Sequence, residues 1–271
     1  MQNYARRWGY PFWLVREEVL RGPQGGGQTG MWSKPAALLS LVTDELRKPK
    51  ADRLEWILYS DADFVVTNPN VPLEMFLPPD TEFGRTQSFL MARDQWGPIN
   101  AGVLLVRVAP QSIKILSTII AAPIYEPQHS WWNGEQTALG MAGSNNELTD
   151  SIAIVPPHWF NADMFGTFQP NHQFKTKIWY PGDFACHLMS ADKTGWDALL
   201  NAVYPANNIS RAVAGAVRVP APEIAGARLD VPLNETRYMT GNDTVAMWWD
   251  SWAAMNATER RTYVADSSRQ N

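Results

Sequence analysis

Residues 54–63 read Leu54-Glu-Trp-Ile-Leu-Tyr-Ser-Asp61-Ala-Asp63. The run Leu54–Tyr59 is short and mostly apolar, the pattern of a buried, central strand. Two carboxylates at i and i+2 follow its C-terminal end. Open α/β sheets take ligands at the carboxyl ends of their strands, and hard divalent cations take oxygen ligands and bridge to phosphates. Asp is also frequent in turns, so read alone the pair fits a turn that closes a strand as well as a metal site.

Outward from this stretch the sequence predicts strands and helices in alternation. Upstream, Tyr10–Glu17 reads as an aromatic-rich strand. Met31–Arg47 reads as a helix, with Leu38, Leu41, Val42 and Leu46 on one face, Ser33 as N-cap and Pro35 in the first turn. Between them Arg21–Gly30 holds five glycines but lacks the G-x-x-x-x-G-K-[ST] spacing of a phosphate loop. Downstream, Pro72–Leu77 reads as a helical turn. Ser88–Ala92, Gly102–Val108, Ile152–Val155 and Phe184–Leu188 read as strands, and Pro110–Ala121, Gly134–Met141 and Asp192–Tyr204 as helices. Such alternation predicts an α/β sheet, mostly parallel. Pro205–Asp230 has no period and reads as an extended linker, and Val245–Thr258 as a Trp-rich helix that packs back. The expected division is a body over residues 1–204 and a tail over 205–271.

Composition narrows the function. With 271 residues, 45% of them hydrophobic, the chain can build a sizeable core. A net charge of −4 gives no basic footprint for nucleic acid, so an anionic substrate must be held locally, by a metal, a lysine or backbone amides. Cys186 is the single cysteine, which excludes an intrachain disulfide and a thiolate zinc cluster. The 13 tryptophans supply core, and Trp is also a rigid platform for the apolar faces of sugar rings. No run of 18 apolar residues occurs, and Met1–Tyr10 is polar and basic without a signal-peptide core. Sequons begin at Asn208, Asn234, Asn242 and Asn256, a weak pointer to the secretory route.

A strand ending in D-x-D occurs in haloacid-dehalogenase-like phosphatases and in GT-A glycosyltransferases. The phosphatase pattern needs a later strand ending in paired acids, whereas Ile152–Val155 runs into Pro156-Pro157-His158. Around Asp61-Ala-Asp63 stand Trp32-x-Lys34, Asn68-Pro69, Leu73-Glu-x-Phe76-Leu77 and Asp94-Gln-Trp-Gly-Pro-Ile-Asn100-Ala-Gly102-Val-Leu-Leu-Val-Arg107. Glu135-Gln136-x-Ala138-Leu139, Pro156 to Asn161 and Tyr180-Pro-Gly182-Asp183-Phe184-x-x-His187 follow in order. From Asn3 to Trp196 this series resembles the galactosyltransferase/mannosyltransferase family of fungal Golgi enzymes, which includes plant xyloglucan xylosyltransferases.

The resemblance implies a GT-A, Rossmann-like sheet with flanking helices, a manganese cofactor, a UDP- or GDP-hexose donor, a glycan acceptor and retention of configuration. It implies a Golgi-lumen setting with a membrane anchor, and association with other Golgi glycosyltransferases. Asp61 and Asp63 look like the metal-binding pair and His187 like the third ligand, a role that imidazole suits. A lone His in such a strand is otherwise ordinary core. Asn100-Ala101-Gly102 resembles the donor-sugar segment, where Gly permits close backbone approach and Asn offers donor and acceptor; without the resemblance it is a simple turn into a strand. Asp94 would accept from a donor or acceptor hydroxyl. Glu135-Gln136 resembles the pair beside the anomeric carbon, where a carboxylate stabilises oxocarbenium character. A Glu at a helix N-terminus is favoured by the macrodipole in any case. Front-face attack without an enzyme nucleophile is the preferred route.

Two departures qualify the resemblance. The family has Gly and then Cys-Lys soon after the His, but here Ser190-Ala191-Asp192-Lys193 displaces the lysine that would neutralise the diphosphate. Lys34 is a candidate for reaching the nucleotide, or an ordinary solvated helix lysine. Family members also begin with a hydrophobic strand that holds the base, which this sequence lacks ahead of Asn3–Tyr10. A catalytically inactive relative that binds glycan or a partner protein is the alternative expectation.

Overall fold

A computed structural model describes residues 1–23, 29–94, 97–162, 179, 183–189 and 241–266. They form a mixed α/β structure that divides into two units of interleaved segments. One comprises Met1–Trp13, Asp61–Pro79 and Pro156–Ala254, and the other Leu14–Ser60, Asp80–Val155 and Met255–Asn271. The helix expected at Asp192–Tyr204 and the linker expected at Pro205–Asp230 lie outside the described residues.

The second unit carries a four-stranded sheet in the order β1-β4-β3-β5, with β1 Trp56–Ser60, β3 Phe89–Arg93, β4 Ile99–Arg107 and β5 Ile152–Val155. The mostly parallel sheet expected from alternation is corrected in its pairing. β4 runs antiparallel to both β1 and β3, and only β3 and β5 pair in parallel. The cause is the short connection from β3 to β4. Asp94 and Pro98 close it with an N–H to carbonyl bond of 2.8 Å, and so few residues cannot make the crossover that a parallel neighbour needs. β1, β3 and β5 still point one way, with β4 as the single reversed strand between them.

Residues along β3, β4 and β5 are buried on both alternating faces, which is why these strands read as unbroken apolar runs. β1 is less covered. The Val108 N–H to Glu55 carbonyl bond sets its ladder, so the backbone groups of Trp56, Leu58 and Ser60 turn away from β4, without a hydrogen-bond partner among the described residues.

Helices α2 Ser33–Arg47, α4 Pro110–Tyr125 and α5 Glu135–Ser144 pack in sequence in this unit, and α7 Ala257–Asp266 packs on α5. α2 buries Leu38 and Val42 as its period predicts, and also Glu45, which accepts from Lys48 Nζ at 2.6 Å and the Leu54 N–H at 3.0 Å. Ser33 is not the N-cap. Trp32 holds that position, and Ser33 Oγ instead accepts the N–H groups of Val19 and Leu20 at 2.8 and 3.1 Å. α4 starts at Pro110, where the missing N–H costs nothing, and runs on through Pro123. α3 is a single turn, Glu82–Thr86, capped by Thr81.

In the first unit α1 Gln2–Trp8 stands where no helix was expected. Tyr4 Oη donates to the Val71 carbonyl at 2.7 Å and Trp8 Nε1 to the Pro69 carbonyl at 2.9 Å. The strand expected at Tyr10–Glu17 does not form; the segment is irregular, and Phe12, Trp13, Leu14 and Val15 are exposed. β-prone residues make a strand only when a neighbour takes their backbone groups, and none of the described strands does. β2 Phe64–Val66 and β6 Ala185–His187 form an antiparallel pair. Around them Phe184 meets Tyr4, Phe64 and Phe76 at ring separations of 5.2, 6.1 and 5.4 Å.

The Trp-rich helix expected at Val245–Thr258 is two helices. α6 Gly241–Ala254 buries Trp249 and Trp252 and hydrogen-bonds Trp249 Nε1 to the Phe76 carbonyl at 3.3 Å. The chain then breaks at Asn256. Its side chain accepts the Glu259 N–H at 3.0 Å while Glu259 returns a bond to the Asn256 N–H at 2.8 Å, a reciprocal cap that starts α7 afresh.

Candidate metal centre and a second polar cluster

The two acids of the D-x-D stretch lie in the turn between β1 and β2. The Asp61 carbonyl accepts the Phe64 N–H at 3.2 Å, and the Asp63 carbonyl accepts the Leu188 N–H at 2.9 Å. This second bond ties the turn to the end of β6, where Phe64 stands opposite His187. Residues 124 positions apart in sequence therefore meet, with His187 Nε2 3.1 Å from Asp63 Oδ1. One ligand atom each from Asp61, Asp63 and His187 lie within 4.8 Å of one another. Ligand atoms about 2.1 Å from one cation stand no more than roughly 4.2 Å apart, and His187 Nε2 and Asp63 Oδ1 already meet that limit at 3.1 Å.

The ring of His187 gives an independent test of fit. It is buried, its Nε2 faces Asp63 Oδ1, and its Nδ1 lies 2.8 Å from Asn161 Oδ1. A neutral imidazole has one N–H, so when Nδ1 donates to Asn161 Oδ1 the Nε2 lone pair is turned toward the acids, where a cation would take it. Two carboxylates and an imidazole suit divalent cations as a class and do not choose among them. The described residues thus fit a metal ion at Asp61, Asp63 and His187.

In the other unit, Asn100, Ala101 and Gly102 are not a turn into a strand; they lie inside β4, and Asn100 and Ala101 are buried. The pairing of β3 with β4 jumps from Met91 opposite Leu104 to Ala92 opposite Asn100, which leaves Ala101, Gly102 and Val103 as a bulge against β3. Side chains take up its freed backbone. Gln136 Oε1 accepts the Ala101 N–H at 3.0 Å and approaches Asn100 Nδ2 at 3.4 Å, while Asn100 Oδ1 accepts the Gly102 N–H at 2.8 Å. Bulges re-aim side chains and recur beside functional sites.

Glu135 opens α5 directly after Gly134, whose φ of 51° is a left-handed conformation that favours glycine. The Glu135 carboxylate is buried and stands 2.9 Å from the Lys34 ammonium of α2, the two side chains being 3% and 14% exposed. Lys34 is thus not an ordinary solvated lysine, which corrects that expectation for it. Asp94 is buried at the end of β3, and its carbonyl accepts the Gly97 N–H at 3.2 Å. Lys193 lies outside the described residues.

Two roles escaped the sequence. Asn161 closed a quoted motif without an assigned task, and Lys34 acquires its partner only through tertiary packing, where α2 and α5 both pack on α4. No protein-family model matches this chain, and no curated protein matches it in sequence.

Proposed function

We propose that this chain is a metal-dependent retaining glycosyltransferase that moves a hexose, galactose or mannose, from a UDP- or GDP-sugar to a glycan hydroxyl. The observation that carries the reading is the meeting of Asp61, Asp63 and His187 at one point directly after a sheet strand. In this reading the sheet is of the GT-A type. When bound, manganese or a like cation supplies Lewis-acid charge to the leaving diphosphate, and these three side chains hold it there.

In the same reading, the resemblance gives the residues of the second cluster roles toward the donor sugar. Glu135 contributes fixed negative charge to a developing oxocarbenium centre. Its Lys34 partner at 2.9 Å disfavours a role as a free nucleophile, which accords with front-face attack. Gln136 spends its carbonyl on the β4 bulge and keeps its Nε2 donors without a partner among the described residues, so they can serve a sugar hydroxyl. Asp94 and Asn100 accept from or donate to the same sugar, and Lys193 neutralises diphosphate charge. A Golgi-lumen setting belongs to the same proposal, and of the four sequons Asn256 is exposed.

The test is calorimetric titration of UDP and GDP with and without manganese. Binding should require the metal and disappear in the Asp61→Ala, Asp63→Ala double variant; nucleotide binding that survives that change refutes the metal role. A second reading, a non-catalytic relative that binds glycan or a partner protein, draws on the outer edge of β1, which no other strand pairs among the described residues. Donor hydrolysis or transfer that EDTA abolishes would exclude it.

A further inference from the structure

We infer that Asn161 is a positioning residue for the metal centre: its carboxamide oxygen holds the proton of His187 at Nδ1 and so presents the Nε2 lone pair to the cation. The inference rests on the proposed metal centre and adds a residue to it. The contact from His187 Nδ1 to Asn161 Oδ1 is 2.8 Å, between side chains that are both almost wholly buried. Nδ1 is the ring nitrogen remote from the carboxylates, and Nε2 the one that faces Asp63. Which nitrogen of a ligating histidine binds metal is set by the hydrogen bond that the other one makes.

The backbone fixes Asn161 for this task. Its N–H bonds the Pro157 carbonyl at 2.6 Å, closing the turn that Pro156-Pro157 begins. Its neighbours Phe160 and Ala162 are fully buried. Ala162 pairs with Cys186 in an isolated parallel bridge, and its carbonyl accepts the His187 N–H at 2.9 Å. Asn161 and His187 are therefore held on adjacent, hydrogen-bonded stretches of backbone, and their side chains meet beside that bridge. A purely packing role for Asn161 explains its burial but not why its acceptor faces the one ring nitrogen that points away from the acids.

The experiment uses the full chain and manganese alone. Electron paramagnetic resonance of free manganese gives the affinity, and pulsed measurements detect nitrogen coupling from a bound histidine. In wild type, binding with nitrogen coupling is expected. Asn161→Leu, close in volume but without an acceptor, should weaken binding about 10–100-fold and lose the nitrogen coupling, as loss of such supporting partners does. Asn161→Asp, which keeps the acceptor, should restore both. Melting in EDTA separates this from misfolding, because the loss must exceed any change in the metal-free fold.

Should Asn161→Leu fail to fold, nitrogen-correlated NMR of the magnesium-loaded wild type decides instead, aided by a chain with only four histidines. A proton on Nδ1 of His187 is expected, and a proton on Nε2 overturns the inference. Wild-type affinity and coupling in Asn161→Leu also overturn it while leaving the metal centre standing. Absence of manganese binding in wild type removes both.

Discussion

Replacing Lys34 with methionine keeps the length and apolar stem of the side chain and removes its charge. In the native fold the ammonium stands 2.9 Å from Glu135 Oε1, with side-chain exposures of 14% and 3%. At an effective dielectric of about 20, unit charges at that separation attract by roughly 6 kcal/mol. Desolvation of both groups consumes much of this, so the intact pair adds little net stability. Lys34→Met, however, takes the ammonium away from a carboxylate where water hardly reaches, and breaking a buried pair from one side costs about 3–5 kcal/mol. Removing both charges, as in Lys34→Met with Glu135→Leu, should recover most of that loss, since apolar replacement of a buried pair is often neutral. Urea unfolding followed by tryptophan fluorescence, run on wild type, both single variants and the double variant, yields the coupling between the sites. A Lys34→Met loss under about 1 kcal/mol, or a double variant as unstable as the sum of the singles, would refute the buried pair, because either outcome means that Glu135 is solvated.

Three further outcomes are expected. Burial opposes the ionisation of Glu45, but bonds from Lys48 and the Leu54 N–H outweigh it and hold the carboxyl below its ordinary value. Its contribution is therefore complete above the unfolded value and lost as pH falls through the lower folded one. A stability curve measured from pH 6 down to about 3 should flatten in Glu45→Gln. Gln136→Leu removes the acceptor of the Ala101 N–H in the β4 bulge and should cost about 1–3 kcal/mol, with faster hydrogen exchange at Ala101. Gln136→Glu, which keeps an acceptor, should lose less. A β-carbon on Gly143 would sit 2.9 Å from Val264 Cγ1 and 3.4 Å from Ile99 Cδ1, so Gly143→Leu should destabilise by about 1–3 kcal/mol and speed proteolysis of α7.

Legibility differed by the kind of information each element needs. β5 and α4 were readable because a short apolar run and a proline-led helical period are local signals. The acidic pair was readable for the same reason, as two carboxylates after such a run. Tyr10–Glu17 misled because aromatic and branched residues report a liking for sheet, and a strand exists only where another strand supplies the ladder. The Trp-rich tail was read as one helix because its apolar period runs across Asn256, whereas the reciprocal cap with Glu259 divides it.

By itself the sequence determined that the chain is α/β, that the run Leu54–Tyr59 carries a strand, observed over Trp56–Ser60, and that Asp61 and Asp63 follow it; these depend on neighbours a few positions apart. Only the tertiary structure decided that β4 runs against its neighbours, that Asn100-Ala101-Gly102 is a bulge braced by Gln136, and that Lys34 belongs to Glu135. It also decided that His187 lies against Asp63, with Asn161 behind its ring. Each of these joins groups far apart along the chain. Hydrogen bonds and charges act over a few ångströms, and which groups come that close is set by strand register and helix packing, which no local pattern encodes.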